Sequence, residues 1–108
     1  MSTISTHVLD AVQGKPASGI EVRLEKQTET GWLVLSESAT DSDGRCPDLC
    51  QDGSDGVYRL TFAVDDYFAS HSRISIYPEI SITLIVEGGH YHIPLLLSDN
   101  SYTTYRGS

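Results

Sequence analysis

The chain has 108 residues, enough for one hydrophobic core, and is read as a single domain over residues 1–108. Its 39% hydrophobic and 20% charged content belongs to a folded globular protein rather than a disordered one. A formal net charge of -8 argues against nucleic acid or anionic membranes as partners, because both need clustered positive charge.

No apolar run approaches the roughly 18 to 20 residues of a membrane span, and residues 1–7 lack a basic segment followed by an apolar one. The expected location is the cytoplasm, where Cys46 and Cys50 stay reduced. Two cysteines alone fall two ligands short of a structural zinc site, so both are read as ordinary thiols.

The β-branched residues 4–12 predict a strand that ends in a turn over residues 13–16. In a regular strand Ser5, His7 and Leu9 share one face, and Thr6 and Val8 the other. Ile20, Val22 and Leu24 alternate with Glu21, Arg23 and Glu25 as a half-buried strand. Thr30 and Gly31 then reverse the chain into residues 32–38, which predicts a hairpin. Residues 40–56, dense in Asp, Gly, Ser and Pro, read as loop with at most a short strand near Arg45.

Residues 57–64 are strand-like, with Tyr58, Leu60 and Phe62 on one face. Residues 65–71 form the one helix candidate, capped by Asp65, with Asp66 near its positive end and His71 near its negative end. Ile80, Ile82, Leu84 and Val86 line one face of the next strand. Gly88 and Gly89 suit a tight reversal into a strand that starts near His90. Seven or eight short strands with one short helix predict an all-β sandwich.

The side chains with chemistry concentrate in two places. His90 and His92 lie two apart on a strand and share a face, whereas Tyr91, Ile93 and Leu95 point the other way, toward the core. The histidine face therefore looks outward, to solvent or a partner subunit, and His7 can share it only if two distant strands lie side by side. A two-spaced pair with a third histidine is also a zinc-hydrolase arrangement, but the spacing recurs by chance in strands and no metal is assigned. The acidic loop fails as a calcium site: with Gly44 or Gly56 at the loop's glycine position, the first residue is Ala39 or Gln51 and the last Cys50 or Phe62.

Arg45 is the cation inside this acidic loop. It is read either as a neutraliser of Asp41, Asp43 or Asp48, or as a planar fork of donors for a carbonyl-rich ligand. Arg106 has the same two readings. Its segment, residues 102–108, is polar on both faces and fits an edge or the lining of a cleft.

Four segments together carry a family resemblance: residues 4–10 (ISTHVLD) with 14–17 (GKPA), residues 40–45 (TDSDGR), residues 91–98 (YHIPLLLS), and the final YRGS of residues 105–108. The chain resembles the 5-hydroxyisourate hydrolases, the transthyretin-related enzymes of purine catabolism. It is less similar to transthyretin, the hormone carrier of that fold. The resemblance implies a sandwich of two four-stranded sheets with one short helix, and a homotetramer with active sites at a dimer–dimer interface. It also implies 5-hydroxyisourate as substrate, no cofactor, and a site drawn from His7, Arg45, His92 and Ser108, with Tyr105, Arg106 and Gly107 binding substrate. In this reading His92 is the preferred general base, His7 orients water or substrate, Arg45 stabilises the oxyanion, and Ser108 supplies a hydroxyl. His90 lies outside the family pattern, and Asp99 stands where the family has proline.

Overall fold

Alternating apolar and polar residues build two sheets whose apolar faces meet. The computed structural model describes residues 1–107; Ser108 lies outside the described residues. Along the chain run β1 (Ser2–Asp10), β2 (Lys15–Pro16), β3 (Glu21–Thr28), β4 (Gly31–Ala39), β5 (Arg45–Gly53), β6 (Gly56–Ala63), helix α1 (Asp65–Ser70), β7 (Ile80–Val86), β8 (Gly89–Ser98) and β9 (Ser101–Thr104). One sheet has the order β4-β3-β6-β7. The other has the order β2-β1-β8-β9, with β5 also paired to β1. The expected four strands per sheet thus become four and five, the fifth being the two-residue β2.

The core follows the predicted faces. Ile4 and Val8 of β1, Ile93, Leu95 and Leu97 of β8, Val22 and Leu24 of β3, and Tyr58, Leu60 and Phe62 of β6 are all buried. Each such side chain contributes roughly 1.5–3 kcal/mol relative to exposure. The β3–β4 hairpin forms as expected, closing with Thr28 opposite Gly31.

Three local expectations change. Residues 45–53 are a full strand, not a loop. Its pairing to β1 shifts register twice, between Ser2 and Ile4 and between Ile4 and Thr6, so Cys46 and Leu49 are buried out of step with a period of two. Bulges on an edge strand tolerate Pro47 and the aspartates, and they erase the alternation that reveals a strand in sequence. Gly88 and Gly89, at φ 70° and 88°, do reverse the chain, but β7 and β8 belong to different sheets and form no hairpin. Finally, Asp65 is the first helical residue and not the cap; Val64 occupies the cap position without a side-chain hydrogen bond.

A buried carboxylate closes the end of β1 nearest the helix. Asp10 is fully buried. Its Oδ1 accepts the backbone N–H groups of Val12 (3.1 Å) and Gln13 (3.0 Å), and its Oδ2 accepts the Tyr67 hydroxyl at 2.7 Å. The Arg73 guanidinium pairs with Asp10 and with Asp99 in the β8–β9 turn, and lies over the Phe68 ring at 5.0 Å. Burial alone would raise the Asp10 pKa, but the donors from Arg73, Gln13 and Tyr67 outweigh it and hold the carboxyl at about 2. The Tyr67 phenol, buried beside this carboxylate, is pushed up to about 12.

The folded pKa of Asp10 lies below the ordinary 3.8. Its stabilisation is therefore present above pH 4 and is lost as pH falls from about 4 toward 2. That shift corresponds to about 2 kcal/mol. Asp10→Asn leaves Arg73 with one carboxylate in a buried setting and should cost on the order of 3 kcal/mol at pH 7. Urea unfolding followed across pH 2–7 tests both statements, and the variant should show a flatter curve below pH 4.

Candidate active site

Parallel pairing of β1 with β8 creates the site. The two strands run in unbroken register from Ser2 opposite Gly89 to Asp10 opposite Leu97, which sets Thr3 beside His90 and Ser5 beside His92. On the buried side, Thr6 donates its hydroxyl to the Ile93 carbonyl at 2.5 Å. On the outer side each histidine meets a hydroxyl of β1: Ser5 Oγ lies 2.8 Å from His92 Nδ1, and Thr3 Oγ1 lies 2.5 Å from His90 Nδ1. His7 stands on the same face of β1, opposite Arg45 of β5. Distant segments thus bring His7, Arg45 and His92 onto one outward face, as the predicted facing of the strands requires.

The segment of residues 40–45 is built to hold Arg45 there. The Asp41 carboxylate accepts the backbone N–H groups of Asp43 and Arg45, both at 2.9 Å, and the Arg45 N–H first of all holds that carboxyl below its ordinary pKa. Gly44 has φ 78° and its carbonyl accepts the Val8 N–H at 2.7 Å. A Cβ at this position would stand 2.4 Å from the Val8 carbonyl oxygen, so only glycine lets the loop lie this close to β1. The Asp43 carbonyl accepts the His7 Nε2–H at 2.8 Å. A carbonyl can only accept, so neutral His7 carries its proton on Nε2 and presents Nδ1 as an acceptor.

Arg45 makes no ion pair with its acidic neighbours among the described residues, although its charge helps to lower the Asp41 pKa. Among the described residues Arg23 and Arg59 pair with Glu25, and Arg73 pairs with Asp10 and Asp99, whereas the Arg45 and Arg106 guanidiniums make no ion pair. Arg45 is exposed and joins Ser5, Thr6, Pro47, His90 and His92 around a cavity of about 360 Å³, within the usual range for a small ligand. Burial first, then the positive charge of Arg45, His7 and His90, pull the His92 pKa below its ordinary 6.5. His92 is a neutral imidazole at neutral pH, and in the tautomer whose Nδ1–H donates to Ser5 Oγ its Nε2 carries the lone pair that can take a proton.

The C-terminal segment divides between two places. Gly107 bridges to His92 and donates its N–H to the His92 carbonyl at 2.7 Å. Arg106 turns to the other side of β8, with its guanidinium 4.0 Å from the Tyr91 ring centre and its Nη2 donating to the His90 carbonyl at 3.1 Å. Arg106 and Tyr105 line a separate groove with Ile82, Leu84, Tyr91 and Ile93. Within one chain, then, Gly107 joins His7, Arg45 and His92, while Tyr105 and Arg106 do not; Ser108 lies outside the described residues.

Sequence reasoning missed Ser5 and Thr3 as partners of the histidines, and Asp41 and Asp43 as supports of Arg45 and His7. The pattern Asp-x-Asp-Gly before Arg45 was a usable signal, since a carboxylate two residues from an N–H closes an Asx turn. Among the described residues no group of three or more His, Cys, Asp or Glu side chains is arranged to hold a metal ion.

A β-sandwich whose outward sheet face carries paired imidazoles beside an exposed guanidinium defines a transthyretin-like protein with a polar surface site. The profile of the HIUase/Transthyretin family matches residues 4–107, and the chain belongs to that family. A 5-hydroxyisourate hydrolase of Mus musculus is 42% identical, over 99% of this chain and 96% of its own. The solved structure of Klebsiella pneumoniae 5-hydroxyisourate hydrolase matches with a TM-score of 0.90 at 34% identity, covering both chains fully. Transthyretin from Sparus aurata matches with a TM-score of 0.92 at 30% identity, over 97% of this chain and 96% of that one. The backbone is thus common to a 5-hydroxyisourate hydrolase and a transthyretin, and the side chains of the site must discriminate between them.

Gly107 gives a direct test of how tightly the site is packed. A Cβ there would lie 2.9 Å from His92 Cδ2, so Gly107→Ala must displace the ring by about 0.6 Å to restore ordinary contact. The His92 imidazole resonances should shift while the melting temperature stays within about 3 °C of the parent. Unchanged His92 resonances would mean the segment does not brace the ring.

Proposed function

We propose that this protein is a 5-hydroxyisourate hydrolase of purine catabolism, acting in the cytoplasm as a homotetramer with sites at the dimer–dimer interface. The observation that carries the reading is a neutral His92 and an Arg45 without an ion pair among the described residues lining one cavity, with His7 opposite Arg45 on the same face of β1. A transthyretin-like carrier calls for an apolar binding channel, and this cavity is lined by imidazoles, a guanidinium and hydroxyls. Relatives named as hydrolases of this substrate, alike over nearly the whole chain, support the same choice.

The chemistry follows from the geometry. Neutral water is a poor nucleophile, and an imidazole titrating below 6.5 is a competent base at pH 7. His92 Nε2 takes a proton from water as the oxygen adds to a ring carbonyl of the substrate, while Ser5 fixes the imidazole from Nδ1. The carbonyl oxygen gains negative charge and receives the donors of Arg45. The tetrahedral centre then breaks its C–N bond, and the ring nitrogen takes the proton back from His92. The products balance as one N–H and one carboxylic acid, which releases its proton to solvent as the carboxylate; for this substrate that product is the carboxylated ureidoimidazoline (OHCU). His7, with Nε2 held by Asp43, orients water or substrate through Nδ1. Ser108 supplies a hydroxyl, and Tyr105, Arg106 and Gly107 complete substrate binding, with Tyr105 and Arg106 reaching a site only across a subunit boundary.

Purified protein mixed with freshly generated 5-hydroxyisourate should accelerate its ultraviolet decay, with kcat/KM falling on the acid side below pH 6.5 as His92 protonates. No acceleration would overturn the proposal. Chelation should leave the rate unchanged in the metal-free reading.

Arg45→Lys keeps a charge but loses the planar fork, and should lower kcat/KM on the order of 10²-fold while leaving the acid limb in place. Arg45→Gln should lower it as much and also move the acid limb to higher pH, since a positive neighbour of His92 is gone. Near-parental kinetics of the Lys variant would reassign Arg45 to loop electrostatics.

A further inference from the structure

We propose that His90 is a positioning residue of the same site, acting on the reaction through His92. The inference rests on the hydrolase reading for its link to rate, but the coupling between the two imidazoles can be tested without it. The Thr3–His90 pair repeats the Ser5–His92 pair one step along the same two strands, with ring Nδ1 facing a β1 hydroxyl in both. The two rings are parallel within 10°, their centres are 6.4 Å apart, and both line the same cavity. The His90 backbone is also held, because its carbonyl accepts Arg106 Nη2 while Arg106 is stacked on Tyr91. An imidazole tied at the ring and at the backbone has a fixed distance to its neighbour, and a fixed distance is what turns proximity into a reproducible field.

The field has a definite sign. Among the described residues the charged and titratable groups acting on His92 are His7 from β1, Arg45 from β5 and His90 from β8, each of which opposes protonation of His92 when positive. Asp41, in the loop before β5, accepts two backbone N–H groups on Oδ1. Of the described residues of the C-terminal segment, Gly107 reaches His92, through its backbone. A proton on His90 thus keeps His92 neutral and extends base catalysis to lower pH. Coulomb's law at the ring separation, in the dielectric of water, sets the effect at about half a pH unit. His7 and Arg45 act in the same direction, so His90 adjusts the working range and does not create it.

The test compares the parent with His90→Asn, His90→Lys and Thr3→Val, measuring both the acid limb of kcat/KM and the titration of His92 by NMR of the labelled imidazole. His90→Asn should move the His92 titration and the acid limb together to higher pH by about half a unit. His90→Lys, which restores a cation, should return both to the parental position or below. Thr3→Val, which frees the His90 ring, should shift both in the Asn direction by less. His90 is exposed, so these variants should fold, and their melting curves confirm it. A His92 titration that stays put in the Asn and Lys variants overturns the proposal. If the parent does not hydrolyse 5-hydroxyisourate, the hydrolase reading fails, and the His92 titration alone still decides the coupling.

Discussion

The parallel pairing of β1 with β8 is the constraint on which the rest of the molecule depends. These strands lie at opposite ends of the sequence, and nine consecutive residue pairs hold them in one register. Residues on a strand alternate between faces, so a slip of one residue would carry the histidines into the core and Ile93 and Leu95 into solvent. The core opposes that slip, since Ile4, Val8, Leu95 and Leu97 are all fully buried, and the buried Thr6 hydroxyl is satisfied only by the Ile93 carbonyl. Hydrophobic burial on one face thereby sets the alignment of hydroxyls and imidazoles on the other.

The electrostatics separate structural from functional cations. In a chain of net charge -8 every arginine has carboxylates to choose from. Among the described residues three of the five arginines take them: two share Glu25 on the outer face of the β4-β3-β6-β7 sheet, and Arg73 joins Asp10 to Asp99. Arg45 follows Asp41 and Asp43 in sequence yet pairs with neither. The Asp41 Oδ1 accepts two backbone N–H groups, which turns that carboxylate toward the loop's own backbone. The acidic loop uses its charge to shape the turn and leaves the guanidinium available to a ligand. Asp99 shows the opposite outcome. Its carboxylate is claimed by Arg73, so the β8–β9 turn is tied by charge to the segment that follows the helix.

The sequence determined the inward and outward faces of the strands, the β3–β4 hairpin, the short helix and the outward direction of His90 and His92. All of these follow from local periodicity, which depends only on neighbours along the chain. It also contained His7, Arg45, His92 and Gly107 in recognisable motifs. It concealed β5, because two bulges and a proline destroy the alternation there, and it concealed the burial of Asp10, because a carboxylate is placed in a core only by donors from Tyr67 and Arg73, more than fifty positions away. That β1 lies beside β8, that Ser5 meets His92 and Thr3 meets His90, and that Tyr105 and Arg106 turn away from the histidines were decided by tertiary structure alone. Strand adjacency is the outcome of burying all the apolar faces at once, and no local window of sequence contains that information.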